Sequence, residues 1–211
     1  MKLWGRTTSS NVQKVLWVLE ELGLPYERFD VGGAYGGTDT PEYRRMNPNR
    51  LVPTLQDGTM VLWESNAIVR YVADVYGRGL LRPDDPKTAA VADQWMDWQQ
   101  TTLAGPMSAL FWEVHRKPPS QRSAEKAKEF TLAAGKALAV LDARLADAEW
   151  LAGGKFSMGD VPAGTLLWRW FTLEIDRPEL PNLAAWYERL SARPAYRRAV
   201  MTSYEALRGK D

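Results

Sequence analysis

Pro53 interrupts two short apolar runs in Leu51-Val52-Pro53-Thr54-Leu55, and Trp63-Glu64-Ser65-Asn66-Ala67 follows closely. Proline donates no N–H and is out of place in a central strand. The first stretch therefore reads as a turn or sheet edge that leaves backbone groups unpaired. The second reads as a helix start carrying an acid and a hydroxyl. Together they offer free backbone groups, a partner for an ammonium and a partner for a carboxylate at one spot. The plainer alternative is a turn followed by an ordinary capped helix.

Composition narrows the function classes. The chain has 211 residues, 45% hydrophobic and 25% charged, with a net charge of +1. That mix suits a soluble globular protein of one large or two small domains. Near-neutral charge gives no footprint for nucleic acid or an acidic membrane. No apolar run reaches membrane-spanning length, and no apolar signal segment follows Met1-Lys2. Cysteine is absent, which removes disulfides, thiolate metal sites and any catalytic protein thiol. A cytoplasmic protein with no metal and no membrane partner is the expectation.

Lys2 to Gly5 reads as a strand, with Trp4 facing a cleft. Val12, Val15, Leu16, Leu19 and Leu22 recur at helical spacing, with Lys14, Glu20 and Glu21 on the surface. Gly23 closes that helix. Pro25 to Val31 alternates like a strand, so strand, helix and strand imply a parallel pair with a crossover. Gly32 to Thr40 is a glycine-rich loop without phosphate-loop spacing. Pro41 to Met46 reads as a short helix. Leu55 to Leu62 forms a hairpin about Asp57-Gly58. Ile68, Tyr71, Val72 and Val75 give the next helix its buried stripe.

Residues 79–87 read as a linker. Everything after it is helical in pattern. Thr88 to Trp112 is one long stretch kinked at Gly105-Pro106, Pro118-Pro119 breaks it, and Ala124 to Leu145 is a second long helix with Phe130, Leu138, Leu141 and Leu145 on one side. Phe156-Ser157-Met158-Gly159-Asp160-Val161 carries a capping box. Ser157 accepts from the residue 160 amide, and Asp160 reaches back to the Ser157 amide. Short helices from Asn182 to Leu190 and Pro194 to Met201 complete the chain.

Chemistry points to the Thr7-Thr8-Ser9-Ser10-Asn11 turn. One cap residue suffices for a helix, so the surplus of hydroxyls suits stabilisation of an anion at the helix N-terminus. Lowering a bound thiol by about two pKa units needs ~2.7 kcal/mol. A helix end supplies ~0.3–2 kcal/mol and a charge-assisted hydroxyl bond ~1.5–3 kcal/mol. No general base is required, and His115, the one histidine, receives no catalytic role. A chain without cysteine must borrow its thiol from a small molecule. A γ-glutamyl thiol peptide, glutathione, fits the second site. Glu64 takes its ammonium, Ser65 the adjacent carboxylate, the Val52 backbone before Pro53 the cysteinyl amide, and Arg50 the glycine carboxylate. Each has a plain reading alone; their joint placement favours the functional one.

Ser9-x-Asn11 opening a helix, Asn47-Pro48 before Leu51-Val52-Pro53, Glu64-Ser65-Asn66-Ala67-Ile68 and Ser157-x-x-Asp160 resemble the cytosolic glutathione transferases in family order. The resemblance implies an α/β thioredoxin-like N-terminal domain over 1–78 with Pro53 cis, an all-α domain over 88–211, and a homodimer. It also implies thiolate activation by a serine, as in theta, delta and phi classes. Ser9 holds that position, with Ser10 beside it open as an alternative and Asn11 assisting. The electrophile pocket falls between the domains, with Trp4, Thr8, Met107, Leu110, Phe111 and His115 as candidates. The expected reaction is attack of bound glutathione on a hydrophobic electrophile, in the manner of a detoxifying transferase. Asn11 is also similar to nu-class relatives, which reduce disulfides with glutathione, so a disulfide reductase is the alternative. A non-catalytic ligand carrier or assembly module is the third.

Overall fold

A computed structural model describes residues 1–211. The N-terminal third forms strand β1 (Lys2–Trp4), helix α1 (Ser10–Glu21), strand β2 (Glu27–Phe29), helix α2 (Pro41–Met46), strands β3 (Thr54–Asp57) and β4 (Met60–Trp63), and helix α3 (Ser65–Tyr76). The sheet order is β2-β1-β3-β4. β1 runs parallel to β2 with Lys2 opposite Glu27, and antiparallel to β3 with Leu3 opposite Leu55. A parallel pair needs a crossover element, and α1 supplies it. The β3–β4 hairpin turns at Gly58, whose φ of 57° suits glycine. β2 is shorter than the Pro25 to Val31 alternation suggests.

α1 departs from a simple amphipathic helix. Val12 through Leu19 are all buried, Lys14 included. The helix packs against α3 on one side and the C-terminal helices on the other, so it keeps no full solvent face. Lys14 is therefore interior, not on the surface. In α3 the buried stripe is Ile68, Val69, Val72 and Ala73. Tyr71 is half-buried, with its hydroxyl donating to Asp57 at 2.8 Å, and Val75 is 54% exposed. The stripe is rotated toward α1.

The remaining chain is helical: α4 (Pro86–Trp98), α5 (Ala104–Phe111), α6 (Ala124–Ala146), α7 (Asp160–Thr172), α8 (Pro181–Ser191) and α9 (Pro194–Ala199). α4 starts at Pro86 because the Asp85 carboxylate accepts from the Thr88 amide at 2.9 Å. The bend falls earlier than Gly105-Pro106. A wide π-type turn spans Gln99–Leu103, and a second spans Trp112–Arg116. Pro106 offers no N–H to the carbonyl one turn back, and the ladder widens just before it. The capping box also differs in detail. Asp160 accepts from the Ser157 amide at 2.9 Å, whereas Ser157 Oγ accepts from the Gly159 amide at 3.2 Å. Asp160 Oδ1 also accepts from the Leu151 amide at 2.9 Å, although burial raises its pKa to about 6. One apolar core runs through both regions, from Leu3, Val15 and Ile68 to Leu103, Leu138, Val161 and Trp186.

Candidate active site

Two recesses meet at the N-terminus of α1. The first lies between that terminus, the Leu51–Pro53 segment and the start of α3. Asn47 builds its floor: its side-chain amide donates to Leu51 O at 2.9 Å and Thr54 Oγ1 at 3.1 Å. Tyr43 adds a hydroxyl bond to Leu51 O at 2.6 Å. The Val52–Pro53 peptide is cis. The Val52 amide and carbonyl make no backbone hydrogen bond, leaving a donor and an acceptor for a peptide ligand. Asn11, Val52, Pro53, Glu64 and Ser65 line this recess together.

Glu64 caps α3 with φ of 70°, and its side chain makes no cap bond. Left-handed backbone at a non-glycine residue costs about 1–3 kcal/mol. Ser65 is buried, and its hydroxyl donates to Asn11 Oδ1 at 3.3 Å. Arg50 stands apart: its guanidinium pairs with Asp39 at 3.0 Å and does not line the recess.

Beneath Ser65 lies a group the sequence reading missed. Lys14 Nζ donates to Asn66 Oδ1 at 3.1 Å, Gln99 Oε1 at 3.1 Å and Ser65 Oγ at 3.4 Å. Burial lowers its pKa to about 7, and the charge of Glu64 opposes that shift. All three ammonium protons have an acceptor, but none is a carboxylate, so desolvation prevails. No local signal marks Lys14, since its spacing on α1 is that of a surface residue.

The second recess is lined by Thr8, Ser9, Ser10 and Phe111, with Arg6, Ser108, Trp112, Arg116, Arg169 and Leu207. Its volume is about 180 Å³. Ser9 is the N-cap of α1, yet its hydroxyl makes no cap bond. Arg169 donates to Thr8 O at 2.8 Å, and Gln13 Nε2 donates to Thr7 O at 2.9 Å. These two bonds fix the serine turn against α7 and α1.

Of the residues expected to face an electrophile, Thr8 and Phe111 line this recess. Trp4 instead stacks on Phe29, ring centroids 5.1 Å apart. Met107 and Leu110 are core residues. On α5 the buried face runs through 107, 110 and 111, so the open face falls to Ser108 and Trp112. An i, i+4, i+8 reading through Ser108, Trp112 and Arg116 finds that face. His115 belongs to a neighbouring hollow with Tyr204 and Arg208. It stacks on Phe111 at 5.1 Å, its Nε2 pairs with Tyr204 O at 3.1 Å, and burial lowers its pKa. Those contacts give it a structural place.

A recess lined by Val52, Glu64 and Ser65 thus lies beside an N-cap serine whose hydroxyl makes no cap bond. The chain belongs to the glutathione S-transferase family: residues 1–74 match the family's N-terminal domain and 101–194 its C-terminal domain. It is 40% identical to glutathione S-transferase GstB of Escherichia coli K12 over 201 residues, covering 94% of this chain and 97% of that protein. A probable glutathione S-transferase GSTF2 of Oryza sativa is 32% identical, with 92% and 93% covered. Among solved structures, the theta-class glutathione S-transferase of Xanthomonas axonopodis pv. citri with glutathione bound superposes with a TM-score of 0.93. It is 52% identical, with 96% of this chain and 98% of that chain covered.

Proposed function

We propose that the enzyme holds glutathione as a thiolate through the Ser9 hydroxyl and directs it at an electrophilic carbon. The observation that carries this reading is the Ser9 side chain, an N-cap whose hydroxyl makes no hydrogen bond within the protein. It lies two residues from Asn11 in the peptide recess and lines the second recess itself. The γ-glutamyl end of glutathione meets Glu64 and Ser65, and the Val52 backbone before Pro53 meets its cysteinyl amide. Arg50 reaches the glycine carboxylate by exchanging Asp39 for it. Ser10 is the alternative donor to sulfur. Residues 1–78 bind glutathione in this reading, 79–87 connect, and 88–211 wall the electrophile side. The working form is a cytoplasmic homodimer acting in detoxification, with no metal.

Ser9→Ala tests the assignment. Losing a hydrogen bond to a charged sulfur, about 1.5–3 kcal/mol, lowers turnover roughly ten- to a hundredfold. Glutathione affinity changes little, because the peptide contacts remain. Unchanged turnover moves the role to Ser10. Disulfide reduction is a second reading, motivated by Asn11 at the helix start and by the absence of cysteine from the chain. Turnover of a disulfide, with none of a carbon electrophile, selects it.

A further inference from the structure

One wall of the recess beside Ser9 is cationic. Arg6, Arg116 and Arg169 line it and no carboxylate does. The chain as a whole is balanced, with 27 Lys and Arg against 26 Asp and Glu, so this is a local concentration. None of the three takes part in any ion pair of the molecule.

Each is held by something other than an acid. Arg169 donates to Thr8 O at 2.8 Å and lies over Phe111, 4.0 Å from the ring centroid. Arg116 lies over Trp112 at 4.7 Å. Arg6 runs beneath the Gly32-Gly33 backbone, where a Cβ on Gly33 would come within 3.1 Å of its Nε. That Nε is buried with no hydrogen-bond partner. Ring faces and a carbonyl thus orient the guanidinium groups without neutralising them. Burial, and in addition the mutual repulsion of the group, lowers the pKa of Arg6 and takes Arg169 to about 10. Such a cluster is complete once an oxyanion sits among the forks.

We propose that this recess binds its substrate through an anionic group, so that the preferred acceptor carries a carboxylate or similar oxyanion as well as its reactive carbon. Calling that ligand the acceptor rests on the thiolate reading above; the anion site itself does not. In the reaction the glutathione sulfur, its proton already lost to solvent, forms a C–S bond. The leaving group departs with the electron pair of the bond it breaks, and the arginines hold the acceptor's carboxylate without exchanging a proton. A glutathionyl group in a disulfide carries the same carboxylates and is the other source of this chemistry.

The first test is calorimetric titration of the protein, without glutathione, with 3,5-dinitrobenzoate and with 3,5-dinitrobenzamide. The benzoate binds at least about tenfold tighter, and Arg116→Gln and Arg6→Gln each reduce that ratio severalfold. Equal binding of the two overturns the proposal whether or not the enzyme turns over. The second test compares kcat/KM for 4-chloro-3,5-dinitrobenzoate and its amide, with the disulfide of 3-mercaptopropionate against hydroxyethyl disulfide as a parallel arm. A carboxylate preference in the first arm identifies a carbon acceptor, and one confined to the second identifies a disulfide. If the variants raise KM for glutathione and leave the acceptor ratio unchanged, the arginines serve glutathione itself and the proposal fails. Loss of turnover with all four substrates, with the benzoate still bound selectively, counts against the thiolate reading and leaves the anion site standing.

Discussion

Lys14 Nζ lies 3.1 Å from Asn66 Oδ1 in the interior, directly beneath the start of α3. A lysine amine at the junction of α1, α3 and the π-type turn joins the floor of the peptide recess to the helical region. Its pKa of about 7 compares with roughly 10.4 in an unfolded chain. Between those values the unfolded state binds more protons than the folded state, so this group makes stability rise with pH. Below pH 7 both states are protonated and the full cost of burying the charge applies.

Lys14→Met removes that pH dependence. The difference in unfolding free energy between wild type and variant is expected to shift by on the order of a few kcal/mol in favour of wild type from pH 7 to pH 10. Denaturant titrations at several pH values measure it. A constant difference across that range would contradict the buried-amine assignment.

In the proposed binding mode the same amine couples to glutathione. A γ-glutamyl carboxylate at Ser65 places negative charge one hydrogen bond from Lys14 and raises its pKa. At pH 8 binding therefore draws a proton onto Lys14, partly offsetting the one released by the thiol. Calorimetry in buffers of different ionisation enthalpy should show Lys14→Met releasing more protons on binding, by a fraction approaching one. Identical proton release in the two proteins means the carboxylate sits elsewhere.

Glu64 carries a backbone cost that the proposed glutathione contact would explain. Its φ of 70° is strained for glutamate and ordinary for glycine. Glu64→Gly relieves about 1–3 kcal/mol of strain against about 0.4–1 kcal/mol for glycine's greater freedom when unfolded, so it is expected to raise stability by on the order of 1 kcal/mol while weakening glutathione binding roughly tenfold or more, the scale of one lost charge-assisted bond. Thermal unfolding and binding titration read the two effects separately. A destabilised variant would remove strain from the account of this residue.

Two helix-associated glycines should respond oppositely to alanine. A Cβ on Gly159 meets the Cα of Ala92 at 2.9 Å, whereas one on Gly105 meets nothing within 4 Å. Gly159→Ala pushes α7 off α4 and costs about 1–3 kcal/mol. Gly105→Ala replaces a flexible residue within α5 and gains up to about 1 kcal/mol. Equal melting shifts would mean that α4 yields freely.

The legible parts of the fold were those set by local chemistry. Pro41, Gly58 and the Ser157–Asp160 pair marked a helix start, a hairpin and a cap because each acts over a few residues. The apolar spacing of Val12, Val15, Leu16 and Leu19 marked α1 for the same reason. Lys14 was hidden because only the three-dimensional packing of α1 between α3 and the C-terminal helices buries it. The position of the α4–α5 bend was hidden because Pro106 acts on the carbonyl a turn earlier. In the site, Ser9, Asn11, Val52, Glu64 and Ser65 stood out through motifs. Arg169 could not, since it reaches Thr8 from far along the chain. Met107 and Leu110 were misplaced because their spacing alone does not say which face of α5 meets the core.

Thiolate formation by bound glutathione is the central claim, and the ultraviolet thiolate band of the complex followed against pH tests it most directly. A free thiol titrates near ~8.5. The band is expected to persist at least about one unit below that value in the wild-type complex and to return toward it in Ser9→Ala. Glutathione bound by calorimetry, with no band until the free-thiol range, would contradict it.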